Sequence, residues 1–266
     1  MRQDKPEVLS RQIHGLVFIF FSDGEAMIGR IGIIGDVHAQ DDKLRQALCQ
    51  LEKLGVDQIV CTGDLPDGTG DLEESCRLLQ KEHVLTVRGN HDRWLLDGVK
   101  RDSPKAHARE SLGDNTLQFL MALPVEISLE TKLGELMLFH GVLKNDMGKV
   151  WPGTDRSPIQ RNDDLDFFLS DKKRRPKFLV NGHIHFRSLI DFDNCHLING
   201  GTLRGRWSGF SVLDLNDRTL TGFDFVEGAC PKRSRQYDLE DVSNRTIWGD
   251  TRDFDGRWSP AVLHAA

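Results

Sequence analysis

The chain has 266 residues, of which 38% are hydrophobic and 29% are charged, and its formal net charge is −6. This composition is typical of a water-soluble globular protein with a substantial core, and it argues against a disordered or fibrous chain. Because the balance is acidic and no long basic run occurs, no general nucleic-acid surface is expected, and the short basic cluster at 172–175 is interpreted as a solvated loop.

Residues 1–27 form an N-terminal extension before the regular part of the chain. Their apolar run, 16–21, is too short to span a bilayer and lacks the cleavage pattern of a secretory signal. The five cysteines are odd in number and widely spaced, which favours neither a disulfide framework nor a thiolate metal site. We therefore predict a cytoplasmic protein with no membrane partner. The extension is either an extra edge strand or the product of an upstream start codon.

A regular β-α-β pattern begins at Ile28. Apolar residues at 31–34 predict a buried strand, helical spacing follows over 41–54, and 59–61 predicts a second strand parallel to the first. The pattern repeats with a helix at 72–82 and a strand at 84–87. Residues 94–123 are predicted to be mostly helical, up to the interruption at Pro124.

Beyond Pro124 the pattern changes to short strands separated mostly by turns. They are predicted at 126–129, 136–139, 178–180, 189–192, 196–198, 210–213 and 220–225. This favours a second, more antiparallel sheet and one layered α/β domain over 28–227, a two-sheet sandwich flanked by helices. The stretch 148–161 is expected to be a loop or lid, and the polar tail 228–266 to be partly disordered.

Several predicted strands are followed by residues of the types that commonly bind metal ions. These residues are Asp36, His38, Asp64, Asn90, His140, His183 and His185. Ligand sites in open α/β sheets form just outside the carboxyl ends of strands, so these side chains are expected to converge. Oxygen and nitrogen donors without thiolate suit Mn²⁺, Fe²⁺ or Zn²⁺. Seven ligands are more than one tetrahedral ion needs, but they fit two ions that share a carboxylate, an arrangement used for in-line displacement at phosphorus.

The order of the motifs resembles that of the calcineurin-like metallophosphoesterase superfamily, and the stretch 198–204 resembles a turn of its smaller bacterial phosphodiesterase-like members. Asp-x-His, Gly-Asp, Gly-Asn-His-Asp, His-Gly and Gly-His-x-His follow one another within residues 28–226. The resemblance implies the superfamily's two-sheet fold and a dinuclear site bridged by Asp64. It assigns Asp36, His38 and His185 to one ion, and Asn90, His140 and His183 to the other.

The resemblance also implies roles for residues around the bound phosphate. His91 would donate a proton to the leaving oxygen, and Asp67 would orient that histidine unless it is only a turn residue before Gly68. Asn90, His91, Arg93 and Arg204 are the candidates for substrate binding. For Arg93 the alternative is a surface ion pair, and for Arg204 it is ordinary solvation in the loop.

Together these features predict a metal-dependent phosphoester hydrolase. A hydroxide held by two ions would attack a phosphomonoester, a phosphodiester or a nucleotide. Mn²⁺ is the expected ion, with Fe²⁺, Zn²⁺, Ni²⁺ or Co²⁺ as alternatives. Gly68 stands where phosphoprotein phosphatases carry a phosphate-binding arginine, which favours a small phosphorylated substrate over a serine/threonine protein phosphatase.

Two alternatives come from other functional classes. An inactive scaffold with the same fold would be expected to have lost His91 or several ligands, and all are present. A single-metal oxygenase would need only two histidines and one carboxylate, fewer than the chain offers. The physiological substrate and the oligomeric state are left open by the sequence.

Overall fold

The computed structural model describes residues 27–99, 101–153, 158, 160–171, 176–192 and 195–241, together with the backbone of strands at 8–13, 16–21 and 261–262. The basic cluster at 172–175 and part of the expected lid at 148–161 lie outside the described residues. Within the described part of the chain, no helix is both long enough and apolar enough to cross a membrane.

The helices and strands follow in chain order. The helices are α1 (Asp41–Lys53), α2 (Leu72–Lys81), α3 (Asn90–Leu96), α4 (Asp114–Ala122) and α5 (Asp163–Ser170). The strands are β1 (Val8–Ile13), β2 (Leu16–Phe21), β3 (Arg30–Ile34), β4 (Gln58–Cys61), β5 (Leu85–Thr86), β6 (Glu126–Thr131), β7 (Gly134–Phe139), β8 (Phe178–Asn181), β9 (Ser188–Phe192), β10 (Cys195–Asn199), β11 (Gly209–Asp214), β12 (Thr219–Asp224), β13 (Lys232–Asp238) and β14 (Ala261–Val262).

These strands form two mixed sheets. The six-stranded sheet has the order β13-β12-β11-β3-β4-β5, and the eight-stranded sheet has the order β1-β2-β6-β7-β8-β10-β9-β14. Strands β3, β4 and β5 are parallel and are joined by α1 and α2, which confirms the predicted βαβ units. The predicted two-sheet α/β fold with flanking helices is therefore the one observed.

The later strands do not all enter one sheet. Strands β6 to β10 belong to the larger sheet, but β11 pairs antiparallel with β3, so that Phe210 lies opposite Ile34. Strands β12 and β13 extend the smaller sheet beyond β11, and β13 comes from the polar tail. Alternating hydrophobicity shows that a segment is a strand with one buried face, but it does not show which distant strand is its partner.

Side chains that alternate along β3 build two different parts of the core. Ile33 faces the larger sheet and packs in a cluster with Leu138 and Val180, whereas Ile34 packs in a cluster with residues of α1 and α2 such as Leu51. Gly32 also faces α1, since a Cβ there would lie 2.8 Å from a methyl carbon of Leu51. The two sheets therefore pack face to face, and α1 and α2 cover the outer face of the smaller one.

The prediction of a mostly helical segment at 94–123 is wrong. Helix α3 ends at Leu96 and α4 begins at Asp114, and the residues between them form a loop with one 3₁₀ turn at Arg109–Ser111. Gly98, with φ of +73°, follows the end of α3. This loop matters below because it brings Arg101 to His91 and His107 to Asp67.

One further segment matches an alternative that the sequence left open, an edge strand, and another was not predicted. The N-terminal strands β1 and β2 form an antiparallel pair, and β2 is parallel to β6, so they lie at the edge of the larger sheet. Helix α5 was not predicted, although Asn162 caps it by accepting a hydrogen bond from the N–H of Leu165. An asparagine before a run of acidic and apolar residues was the available signal.

Candidate metal centre

The metal-ligand candidates converge at the carboxyl ends of five strands from both sheets. Six of the seven fall into two groups, and within each group the ligand atoms lie within 4.8 Å of one another; Asp64 belongs to both groups. One group adds Asp36, His38 and His185 to Asp64, and the other adds His140 and His183. The Oδ1 atom of Asn90 lies 3.0 Å from the Nε2 atom of His140, which places it beside the second group. The structure therefore brings all seven candidates together.

The facing atoms fit a divalent cation. The Nε2 atoms of His38 and His185 lie 2.9 Å apart, a distance at which two imidazole lone pairs repel each other unless a proton or a cation lies between them. The buried Nε2 atom of His183 has no hydrogen-bond partner among the described residues. Asp36 and Asp64 are both almost completely buried. Carboxylates and imidazoles gathered in this way match the ligand preferences of Mn²⁺, Fe²⁺ or Zn²⁺.

Backbone carbonyl groups orient two of the histidines. The Nδ1 atom of His38 lies 2.9 Å from the carbonyl oxygen of Pro66, and the Nδ1 atom of His140 lies 2.7 Å from that of Thr62. Because a carbonyl oxygen can only accept, each Nδ1 carries the proton and donates it. In the neutral form of each ring, Nε2 is therefore the atom that keeps a lone pair for a metal ion.

The carboxylate of Asp36 is held in a similar way. Its Oδ1 atom accepts a hydrogen bond from the Thr62 hydroxyl at 2.8 Å, and its Oδ2 atom accepts one from the backbone N–H of His183 at 2.9 Å. One ligand is thus positioned by the backbone of another. The geometry of the group is consequently built into the strand-end loops.

Backbone strain is concentrated at these loops. His38, Asp64, His183 and His185 have φ values of 47°, 49°, 66° and 59°, in the left-handed region that most residues avoid. Such conformations cost of order 1–3 kcal/mol each and persist only where the surrounding structure requires them. At each strand end, this sharp reversal turns the ligand side chain towards its neighbours.

Two of the glycines are required by close approach. A Cβ atom on Gly89 would lie 2.2 Å from Oδ1 of Asp64, and a Cβ atom on Gly182 would lie 2.2 Å from Oδ1 of Asp36. Any larger residue would therefore displace a ligand carboxylate. This explains why glycine precedes the asparagine and the histidine in the Gly-Asn-His-Asp and Gly-His-x-His motifs.

Burial and the two carboxylates set opposite protonation states within the site. Burial lowers the pKa of His140, but the charges of Asp64 and Asp36 outweigh it and raise the pKa to about 10. Burial lowers the pKa of His38 and of His183 to about 4. Although burial opposes ionisation of Asp64, the neighbouring His140 holds the pKa of Asp64 well below its ordinary value. Asp64 is therefore ionised, whereas the imidazoles of His38 and His183 stay neutral.

His91 and Asp67 form a pair beside the shared ligand. The Nδ1 atom of His91 lies 2.6 Å from Oδ2 of Asp67, and its Nε2 atom lies 3.8 Å from Oδ2 of Asp64. The other oxygen of Asp67 accepts a hydrogen bond from the backbone N–H of His107 at 3.0 Å. Burial opposes ionisation of Asp67, but the hydrogen bond from His91 lowers its pKa below the ordinary value. The carboxylate thus directs Nε2 of His91 towards the metal-ligand candidates.

The two predicted substrate arginines differ in their surroundings. Arg93 donates two hydrogen bonds to the carboxylate of Asp146, at 2.7 and 3.0 Å, which is the ion-pair alternative that the sequence left open. The Nη1 atom of Arg204 lies 3.5 Å from the carbonyl oxygen of Asp67. Arg204 is therefore close to the His91–Asp67 pair, whereas the guanidinium of Arg93 is paired elsewhere.

Sequence reasoning missed Arg101. Its Nη1 atom lies 3.4 Å from Nε2 of His91, and its guanidinium carbon lies 5.5 Å from the centre of the Trp94 ring. No carboxylate pairs with Arg101 among the described residues. No sequence signal indicated this position, because Arg101 lies in the segment that was predicted to be helical.

Sequence reasoning also assigned no role to Asp92. Its Oδ1 atom accepts a hydrogen bond from the N–H of Leu65, and its Oδ2 atom accepts from the N–H groups of Asp64 and Gly89. It therefore ties the loop that carries Asp64 to the start of α3. The signal was present, because a carboxylate at the third position of a helix can bind back to the residue that caps the helix.

Comparison with known proteins supports the same fold. The family model for the calcineurin-like phosphoesterase superfamily domain matches residues 30–218. A curated protein of uncharacterised function from Methanocaldococcus jannaschii is 24% identical over 128 residues, 46% of this chain and 52% of that protein. The chain thus spans about half the length of that relative.

Solved structures that resemble this one are distant in sequence. A hypothetical protein from Pyrococcus horikoshii has a TM-score of 0.58 at 14% identity, covering 73% of this chain and 86% of that one. A provisionally assigned diadenosine tetraphosphatase has a TM-score of 0.51 at 21% identity, covering 76% and 96%. Vacuolar protein sorting 29 from Cryptosporidium parvum has a TM-score of 0.50 at 17% identity, covering 80% and 100%. At these identities the likeness establishes a shared fold.

Proposed function

The chain belongs to the calcineurin-like phosphoesterase superfamily, and from this premise we propose that it is a metal-dependent phosphoester hydrolase. The observation that carries the proposal is the sharing of Asp64 by two groups of ligand atoms, with the His91–Asp67 pair beside them. A dinuclear site next to a proton donor is the arrangement that phosphoester hydrolysis needs.

Each group of side chains would hold one divalent ion. We propose Mn²⁺, because the donors are carboxylate, imidazole and amide groups without a thiolate. Divalent ions supply Lewis acidity at such a site: they neutralise phosphate charge and make water acidic enough to attack near neutral pH. Asp64 would bind both ions. Asp36, His38 and His185 would bind one, and Asn90, His140 and His183 the other.

His91 would act as the general acid. Its Nδ1 proton is donated to Asp67, so its Nε2 atom points to the region where the leaving oxygen departs. A proton on Nε2 would be transferred to that oxygen as the ester bond breaks. Such a transfer is worth about 10²–10⁴-fold in rate. Asp67 would contribute by fixing the orientation of the ring.

Arg101 and Arg204 would bind the anionic substrate. Arg101 places its guanidinium beside His91, and no carboxylate among the described residues pairs with it. Gly68 occupies the sequence position at which phosphoprotein phosphatases carry a phosphate-binding arginine. Arg204 approaches the same pair from the loop after β10. A guanidinium can donate two parallel hydrogen bonds to phosphate oxygens. We propose a small phosphodiester or nucleotide as the substrate, because both arginines come from loops close to the centre.

The first experiment removes the metal and restores it. Protein treated with chelator and then supplied with Mn²⁺ is assayed with p-nitrophenyl phosphate and bis(p-nitrophenyl) phosphate. Turnover that depends on Mn²⁺ is expected, and the preferred ester would distinguish a monoesterase from a diesterase. Asp64→Asn should lose its bound Mn²⁺ and also its turnover. The matched control is Asp217→Asn, at an exposed position in a turn, and this variant should keep its Mn²⁺ and its turnover.

Two outcomes would contradict the proposal. Turnover by metal-free protein, or by Asp64→Asn at the wild-type rate, would show that the chemistry does not use this centre. Two bound ions per chain without turnover of either ester would instead favour the scaffold alternative.

A further inference from the structure

A cavity of about 800 Å³ lies between α1, the loop after Arg204 and the segment that follows β12. Its walls include Lys43 and Lys53 from α1, Arg206 from the loop, and Phe225 and Pro231 from the last segment. None of the metal-ligand candidates lines it. Its volume falls in the range of about 300–1,000 Å³ that is usual for small-molecule sites.

The cavity carries positive charge in an acidic protein. Lys43, Arg45, Lys53 and Arg206 line it together with one carboxylate, Glu227, whereas the whole chain has a net charge of −6. Of the four cations, only Arg45 pairs with a carboxylate, that of Glu74, among the described residues. Three cations without such partners produce a local positive potential that attracts anions.

Lys43 gives the most specific indication of a ligand. Its ammonium donates one hydrogen bond, to the Ser208 hydroxyl at 2.8 Å, and lies 5.5 Å from the centre of the Phe225 ring. The residue is half-buried, and this burial lowers the pKa of Lys43. An ammonium that is partly removed from water without an anion beside it costs free energy, and a bound anion would offset that cost.

The segment that follows β12 contributes a largely apolar part of the lining. Phe225, Val226, Ala229 and Pro231 form this part. A ligand that fills the cavity must therefore present both a negative group and a hydrophobic or aromatic part. Inorganic phosphate alone would leave the apolar wall without a contact.

We propose that this cavity binds an organic phosphate of nucleotide size, with its phosphate against Lys43 and Arg206 and its base or other apolar part against Phe225 and Pro231. The site is separate from the metal centre and does not depend on the proposed hydrolase activity. The loop at 200–208 nevertheless connects the two, because Thr202 donates a hydrogen bond to the carbonyl oxygen of Asp36 at 2.9 Å.

The cysteines offer a test in the wild-type protein. Cys49 and Cys230 are exposed and line the cavity, whereas Cys61, Cys76 and Cys195 are buried. The full chain, loaded with Mn²⁺, is treated with iodoacetamide with and without the phosphonate analogue of AMP, which has no cleavable ester oxygen. Mass spectrometry then gives the alkylation rate of each thiol. At saturating probe we expect alkylation of Cys49 and Cys230 to slow at least about fivefold, because the ligand covers them.

Calorimetry with matched variants separates this cavity from the metal centre. The double variant Lys43→Met, Arg206→Gln should weaken one component of probe binding at least about tenfold, since it loses two charge-assisted contacts. Arg218→Gln, an exposed position at the opposite end of β12, should leave the affinity unchanged. Circular dichroism confirms that each variant is folded.

Three results would overturn the proposal. The first is undiminished alkylation of both thiols at saturating probe, and the second is wild-type affinity in the double variant. The third is equal protection by inorganic phosphate at the same concentration, which would show that the apolar wall does not contribute. Protection by the probe, together with weaker binding in the double variant, would support it.

Discussion

Replacement of Asp92 by asparagine tests whether one buried carboxylate holds the metal centre together. Asp92 is fully buried and accepts backbone hydrogen bonds from Asp64, Leu65 and Gly89, at 2.9, 2.9 and 2.7 Å. Asparagine has nearly the same shape but only one acceptor oxygen. If that oxygen keeps the two bonds made by Oδ2, the amide nitrogen must face the N–H of Leu65, and two donors then oppose each other.

The cost follows from these bonds. An unsatisfied buried N–H costs about 1–3 kcal/mol, and each of the two remaining bonds loses about 1 kcal/mol when its acceptor is no longer charged. Burial and the charge of Asp64 disfavour the ionised form of Asp92 and raise the pKa of Asp92 to about 7. Asparagine carries no charge, so the substitution removes the repulsion between positions 92 and 64 and offsets part of the cost. The lost hydrogen bonds sum to about 3–5 kcal/mol. Bound Mn²⁺ would offset the charge of Asp64, so we take the relief of repulsion as about 1 kcal/mol and expect a net loss of about 2–4 kcal/mol in the free energy of unfolding.

The assay is urea unfolding of the Mn²⁺-loaded protein, buffered above pH 7 so that Asp92 is charged in the wild type. Mn²⁺ content and kcat are measured on the same samples, and both should fall because the loop that carries Asp64 loosens. Asp97→Asn is the control, since it makes the same chemical change at the exposed end of α3 and should shift stability by less than about 0.5 kcal/mol. The reasoning would be refuted if Asp92→Asn matched this control in stability and kept full Mn²⁺ content.

Three further predictions concern other parts of the chain. For His91→Gln, kcat should fall about 10²–10⁴-fold with phenyl phosphate and much less with p-nitrophenyl phosphate. The reason is that phenolate is the poorer leaving group and depends more on the proton that His91 donates. Equal losses of kcat on both esters would exclude the role of His91 as general acid. Arg187→Met should lower the free energy of unfolding, measured in urea, by about 3 kcal/mol. This is the low end for a broken buried ion pair, because the partner Asp224 stays partly exposed. A loss no larger than that of the exposed control Arg218→Gln would contradict this. Asp214 is the third case: burial opposes its ionisation, but backbone N–H groups and an ion pair hold its pKa below the ordinary 3.8. The ionised Asp214 carboxylate therefore stabilises the folded protein above pH 3.8, and this stabilisation is lost as the pH falls through the lower pKa of the folded state. The difference in Tm between wild type and Asp214→Asn should consequently shrink in acid. A difference that persists at the acid end would refute this.

Local patterns were sufficient for much of the fold. Helices α1 and α2, and the strands that precede Asp36 and Asp64, have boundaries within a few residues of those predicted. Their signals are short-range: a single apolar stripe on a helix, or a run of apolar residues closed by glycine. The same reasoning failed over 97–113, where Leu112 is the one predicted apolar anchor and Gly98 follows the end of α3.

The sequence also determined which residues meet at the candidate centre. Each ligand candidate lies within four residues of the end of a strand or begins the next helix. The carboxyl ends of parallel strands lie at one edge of a sheet. Strand ends therefore bring together the candidates within each sheet, and the packing of the two sheets joins the two sets. The individual roles of His91, Asp67 and Arg204 stay predictions until variants are assayed.

Only the tertiary structure decided the contacts between distant segments. The pairing of β11 with β3, the position of Arg101 beside His91 and the hydrogen bonds of Asp92 to two loops all join residues that no periodicity relates. Periodicity shows which face of a segment is apolar, but the partner of that face is selected by packing of the whole chain. For the same reason, the sequence determined the chemistry of the metal centre, and the fold determined which charged groups surround it and where the cationic cavity lies.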